Sequence, residues 1–215
     1  HELLKRANGC ELGMSGPCGW PHDMDAPHPI PAIGLLVEDG LELRVPVESD
    51  AEELFLQIDA NRDFLREWLP WPDDVTSLED EVAVIRRGAD RREDGGGCMY
   101  LICLDEEIVG TIGMNWIDWD NRGFGIGYWL SKGKMGTGIV SKSCTRLMNH
   151  CFDDLSLHRA VIEVAVGNFV SRAVAERLGM RLEGITKDRE WLYDHYVDAA
   201  LYAITAPEWS ERNQG

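Results

Sequence analysis

Alternation marks where ordered structure begins. Leu41, Leu43, Val45 and Val47 stand at every second position between polar residues, the pattern of a strand with one buried face. Ser49 follows as a helix N-cap, with Glu52 three residues on as its capping-box partner. The period then changes, and Leu54, Phe55, Ile58 and Leu65 repeat at helical spacing up to Pro70. Residues 77–80 open a second helix carrying Val82, Ile85 and Ala89, which the Glu-Asp-Gly-Gly-Gly run at 93–97 ends. Strands are expected at 99–104, 108–117 and 123–130, with polar turns at 105–106 and 118–121, forming an antiparallel meander. Glycines 133, 136 and 138 then lead into a helix whose apolar stripe is Ile139, Val140, Cys144, Leu147, Met148 and Cys151.

Residues 159–166, with Val-Ile-Glu-Val-Ala-Val within them, read as another strand. Asn168 caps a short helix over 169–178, which Gly179 closes. Residues 180–183 and 189–192 look extended, and 196–204 form the last strand. The order β-α-α-β-β-β-α-β-α-β-β predicts an α/β fold in one domain, without internal repeats. Before it, residues 1–40 hold Pro17, Pro21, Pro27, Pro29 and Pro31 among many glycines. That composition predicts a loosely draped N-terminal arm, an ordered domain over 41–208 and a C-terminal tail over 209–215.

Composition narrows the function. At 215 residues and 44% hydrophobic, the chain can fill one ordinary core. No apolar run approaches the roughly 20 residues that span a bilayer, and no signal peptide is visible, so no membrane partner and a cytoplasmic location are expected. A net charge of −17 argues against nucleic-acid binding, which needs a basic face. The acidity either steers a basic acceptor or is a solvated, salt-adapted surface. Cys10, Cys18, Cys98, Cys103, Cys144 and Cys151 form no CxxC pair and read as reduced thiols, with 144 and 151 on one helix face in the core. Cys10, Cys18, His22 and His28 match no zinc spacing, and no metal is expected.

The glycine turn at 133–138 is the candidate chemistry. Bare N–H groups at a helix start cradle a diphosphate. A Walker A loop fails because Gly133-Lys134 is followed by Met135. A dinucleotide fingerprint fails because Gly136-x-Gly138 is followed by Ser141 and lies beyond a meander.

Six ordered segments remain: Arg-Glu-Trp-Leu-Pro-Trp (66–71), Ile-Gly-Tyr-Trp-Leu (126–130), Gly-Thr-Gly-Ile-Val-Ser-Lys-Ser (136–143), 157–168, 171–184 and 189–204. Through them the chain resembles the GNAT acetyltransferases over about residues 40–208, and among these the Rim-type ribosomal-protein N-terminal acetyltransferases. The resemblance implies a single GNAT-like domain, a mixed twisted sheet of about seven strands with splayed central strands and about four helices. It implies acetyl transfer from acetyl-CoA to a primary amine, most specifically the N-terminal α-amine of a protein such as a ribosomal protein. A small-molecule amine (antibiotic, peptide toxin or polyamine) is the alternative acceptor, and a non-catalytic acetyl-CoA sensor is a third reading. A monomer or homodimer is expected.

By the same resemblance, acetyl-CoA lies along Trp129, Leu130 and Ser131, the turn residues Met135, Gly136, Thr137, Gly138, Ile139, Val140 and Ser141, and Asn168. Met135 and Val140 depart from the family's loop, which has Gln or Arg and Gly or Ala there, yet backbone donors need neither side chain. Lys134, Lys142 and Arg146 either touch phosphate or face solvent. Glu190 is implied as the base that deprotonates the amine, the alternative being a surface carboxylate balanced by Arg189. Ser171 is implied as the donor to the leaving thiolate, the alternative being a capping role. The tyrosine that many relatives use is absent from the sequence Phe169-Val170-Ser171. Trp68, Trp71, Trp116 and Trp119 either wall an acceptor groove or pack. Asp118, Asp120 and Glu67 either meet the ammonium group or are solvated.

Overall fold

The computed structural model describes residues 28–213, so Cys10, Cys18 and His22 lie outside the described residues. Eight strands form one sheet: β1 (Leu35–Glu38), β2 (Leu41–Arg44), β3 (Cys98–Leu104), β4 (Glu107–Asp118), β5 (Gly123–Leu130), β6 (Arg159–Ala165), β7 (Arg181–Leu192) and β8 (His195–Thr205). Their order across the sheet is β1-β2-β3-β4-β5-β6-β8-β7. Every neighbouring pair is antiparallel except β5 and β6. Five helices cover it: α1 (Ala51–Arg66), α2 (Leu78–Glu93), α3 (Ile139–Asn149), α4 (Phe169–Arg177) and α5 (Ala206–Asn213).

The strand period assigns side chains to two faces. Tyr100, Ile102, Phe124, Ile126, Ile162, Tyr202 and Ile204 meet Cys144, Leu147 and Met148 of α3 in the larger core. The other face buries Leu101, Cys103, Ile108 and Trp129 under Leu54, Ile58 and Leu65 of α1. Cys98, Cys103, Cys144 and Cys151 are buried free thiols. Burial raises the Cys98 thiol to about 11, so it stays protonated, as a core residue does.

Capping follows the sequence at one helix and departs from it at another. Ser77 caps α2, its Oγ accepting the Asp80 N–H at 3.2 Å while the Asp80 carboxylate accepts the Ser77 N–H at 2.9 Å. Ser49 was expected to cap α1, but it lies inside a 3-10 turn, Glu48–Asp50. There Asp50 accepts the Val47 N–H at 2.8 Å and pairs with Arg44 at 2.9 Å, so a charged acceptor organises the turn instead.

The ordered fold also extends past both predicted boundaries. β1 falls within the expected arm and pairs Leu35 with Leu43; Ile30 and Leu35 are buried in the main core. At the other end the expected tail is helical: Trp209 of α5 packs 6.3 Å from Phe152 and donates its indole N–H to Asn149 at 2.7 Å. The two extended pieces at 180–183 and 189–192 are one strand, β7, whose pairing shifts between Thr186 and Glu190.

Candidate active site

β5 and β6 pair only over Gly123, Phe124 and Gly125 against Arg159, Ala160 and Val161. Beyond that, β5 keeps only β4 as partner to Leu130, and β6 keeps only β8 to Ala165. The two strands part toward their carboxyl ends, leaving the backbone groups that face the gap without a strand partner. Ligands of open α/β sheets enter at such a crevice.

The turn after β5 is fastened to α1. The Ser131 N–H donates to the Val109 carbonyl at 2.8 Å, and its hydroxyl donates to Gln57 at 2.8 Å. The Lys132 N–H donates to Asn61 at 2.9 Å. Gln57 and Asn61 lie one turn apart on one face of α1, and the sequence reading missed them because polar residues on a helix carry no period of their own. Ser131, expected to offer its groups to the cofactor, uses both donors within the protein. Trp129 and Leu130 bury their side chains in the two cores, so only their backbone borders the gap.

Gly136 and Gly138 have φ of +76° and +84°, the left-handed region. A Cβ at either would meet nothing within 4 Å, so the backbone conformation, not crowding, calls for glycine. Among the described residues, no backbone acceptor takes the N–H of Gly136, Thr137, Gly138, Ile139, Val140 or Ser141. These free donors at the start of α3 fit the diphosphate of acetyl-CoA. Ile139 is buried and Val140 half-buried against the main core, so both offer the ligand backbone alone. Met135 is half-buried. The Thr137 hydroxyl is occupied by the Lys134 carbonyl at 2.6 Å. The nearby cations are engaged too: Lys134 with Glu107 at 2.9 Å, Lys142 with Glu38 at 2.6 Å, and Arg146 with the Leu36 carbonyl at 3.1 Å.

Across the gap, Asn168 accepts the Ser171 N–H at 3.1 Å and so caps α4, leaving its amide N–H groups available. The Ser171 hydroxyl sits half-buried in the first turn. Tyr128 of β5 reaches over and donates to the Ser171 carbonyl at 3.3 Å. Burial holds its phenol far above its ordinary pKa, so it remains a donor.

The opposite face of the sheet carries the remaining candidates. Strand parity puts Gly123, Gly125, Gly127 and Trp129 of β5 and Val161 and Glu163 of β6 there, away from α3. Glu163 pairs with Arg189 at 2.7 Å. Glu190 stands opposite Val197, beyond the carboxyl end of β6. The residue is exposed overall, yet protein around the carboxylate raises its pKa through desolvation; Arg189 opposes the rise and Glu163 adds to it.

A Cβ on Gly167, beside Asn168, would stand 3.6 Å from the Trp68 ring. Tyr193 donates to the Leu69 carbonyl at 2.8 Å, with Arg66 4.4 Å over its ring, so the β7–β8 turn is tied to the segment after α1. Trp71 packs 6.4 Å from Trp129 in the smaller core. Trp116 lies 39% exposed over Gly123 and Gly125. Trp119 departs from the expected groove: it packs on the main core, 5.0 Å from His28, and donates to the Gly95 carbonyl at 2.8 Å. Asp118 is taken up by Asn121 in the β4–β5 turn, at the other end of the strands. The described residues hold no cluster of potential metal ligands, and none of their helices is long and apolar enough to cross a membrane.

A parallel pair splayed at its carboxyl ends, with a glycine turn of free N–H donors on one side and a capped helix start on the other, defines a coenzyme A-dependent acyltransferase. The acetyltransferase (GNAT) domain family matches residues 40–181, and the chain belongs to that family. It is 35% identical over 167 residues to the ribosomal-protein-serine acetyltransferase of Escherichia coli (strain K12), covering 78% of this chain and 93% of that protein. The solved structure of RimL, a ribosomal L7/L12 alpha-N-protein acetyltransferase in complex with coenzyme A, superposes with a TM-score of 0.78 at 35% identity, covering 80% of this chain and 98% of the other. The microcin C7 self-immunity acetyltransferase MccE, in complex with acetyl-CoA and AMP, superposes with a TM-score of 0.76 at 30% identity, covering 79% of this chain and 94% of the other. The protein is an acetyl-CoA-dependent N-acetyltransferase.

Proposed function

We propose that the acceptor is the N-terminal α-amine of a protein, with a ribosomal protein as the expected class. The observation that carries this reading is the 35% identity to the ribosomal-protein-serine acetyltransferase, across nearly the whole of that relative. Bound acetyl-CoA supplies an acetyl group activated as a thioester. Glu190 takes a proton from the incoming ammonium, and desolvation raises its pKa, the direction that makes a carboxylate a stronger base. Backbone N–H groups of β5 that face the gap donate to the carbonyl oxygen as negative charge gathers on it. The Ser171 hydroxyl donates a hydrogen bond to the departing sulfur. Asn168 holds the pantetheine arm through its free amide N–H groups.

A small-molecule acceptor is the second reading, favoured by the likeness to the microcin self-immunity enzyme. One assay separates the two. The protein is incubated with acetyl-CoA and a panel of N-terminal peptides, polyamines and aminoglycosides, and free thiol release is followed. Turnover confined to peptides with a free α-amine is the expected result. Turnover confined to polyamines or aminoglycosides would overturn the reading.

A further inference from the structure

β4 carries an irregularity on the groove face: Met114 pairs with Ile126 and Trp116 with Gly125, so Asn115 is the extra residue of a bulge. Both Asn115 and Trp116 therefore lie over the glycine row of β5. A Cβ on Gly127 would stand 2.4 Å from the Asn115 amide nitrogen, and one on Gly125 would stand 2.1 Å from the Trp116 indole nitrogen. The alternating glycines let an amide and an indole lie flat on the strand. Asn115 and Trp116 are both exposed, and neither the Asn115 amide nor the Trp116 N–H has a protein hydrogen-bond partner among the described residues. Bulges beside active sites commonly re-aim side chains in this way.

We propose that Asn115 and Trp116 form a platform that reads the peptide backbone behind the acceptor's amine; this rests on the peptide reading above. Its position fits. Gly127 lies two residues before Trp129, about 7 Å along the strand from the part of the gap where the amine meets the acetyl group. An extended acceptor advances about 3.5 Å per residue, so its second peptide group lies about that far behind its amine. The Asn115 amide can both donate to and accept from a peptide group, and the Trp116 N–H can donate to a carbonyl. The Trp116 ring face offers apolar contact to a small side chain. On the same face, across the gap, stands Glu163 with its Arg189 partner.

The test compares the wild type with N115A and G127A on two acceptors: a hexapeptide with a free α-amine, and an amino-acid methyl ester, which has the amine but no following peptide group. Asn115 is exposed, so its truncation leaves the fold intact. The three atoms nearest the methyl added in G127A all belong to the Asn115 side chain, a flexible end, so the substitution displaces the amide. KM for the hexapeptide is expected to rise about 10-fold in both variants, with kcat within about two-fold, while the methyl ester is handled as in the wild type. Unchanged hexapeptide KM in both variants, with the wild type active on that peptide, would overturn the platform alone. A wild type that acetylates small amines but no peptide would overturn the acceptor reading and the platform with it.

Discussion

β5 and β6 are one pair of strands with two different ends. At the amino ends they are paired, and Phe124 and Ala160 are fully buried between them and α3. At the carboxyl ends they part, Glu163 and Gly127 face the groove, and backbone donors are left without partners. The closed end supplies core; the open end leaves polar groups unpaired, which is a cost to folding that a ligand can offset. Stability and chemistry thus divide along the length of two strands, and changes at either end should separate the two.

Phe124→Ala at the closed end should cost the most stability, about 3–5 kcal/mol by urea unfolding, because the ring lies 5.5 Å edge-on to Phe152 with no exposure. Turnover by the remaining folded protein should stay within about two-fold. Activity falling in step with cofactor affinity would break the division. The glycine turn should respond the other way. Gly138→Val forces a β-branched residue to a φ of +84° and should weaken acetyl-CoA binding by about 10- to 100-fold in calorimetric titration, with a smaller loss of stability.

Glu81 on α2 shifts stability without touching either end. It is 1% exposed with one carboxylate oxygen unpartnered, and burial pushes its pKa to about 7 against the partial opposition of Arg87. The folded protein therefore keeps a proton that the unfolded chain releases near 4.5. The stability this gives is fully present below that value and is lost as pH rises through about 7. Glu81→Gln should thus be more stable than the wild type by about 2 kcal/mol at pH 8 and nearly equal to it at pH 4, read by urea unfolding. The smallest effect is expected at Ser171→Ala, about 10-fold in kcat with acetyl-CoA affinity retained, since one hydrogen bond to a leaving group is lost.

The closed end and the glycine turn were legible in the sequence because both write a period or a composition: strand alternation, the α3 stripe, and glycines at a helix start. The limits of the domain were less so. β1 has four residues among prolines and glycines and is fixed by its pairing with β2, a tertiary cause. α5 has eight, too few for its period to stand out, and it is seated by tertiary contacts: Trp209 in the main core and Glu208 paired with Arg181 of β7. Ser49 satisfied the capping rule locally but lost to Asp50, whose partner Arg44 comes from β2. In the site, four tryptophans looked alike in sequence; only the bulge in β4 distinguishes Trp116 on the groove face from Trp119 on the main core. The glycines at 123, 125 and 127 were the available signal for Asn115, and their alternation clears one face of a strand.

The central claim is that the open end performs acetyl transfer with Glu190 as base, and one paired measurement tests it. The pH dependence of kcat/KM with an α-amine peptide and the Kd for acetyl-CoA are determined for the wild type and Glu190→Gln. The account predicts a wild-type acid limb whose pKa lies above the ordinary carboxylate range, because desolvation raises Glu190. It predicts that Glu190→Gln lowers kcat by about 10²- to 10⁴-fold and abolishes that limb, while Kd stays unchanged. Glu190→Gln turning over at the wild-type rate, with the acid limb intact, would contradict it.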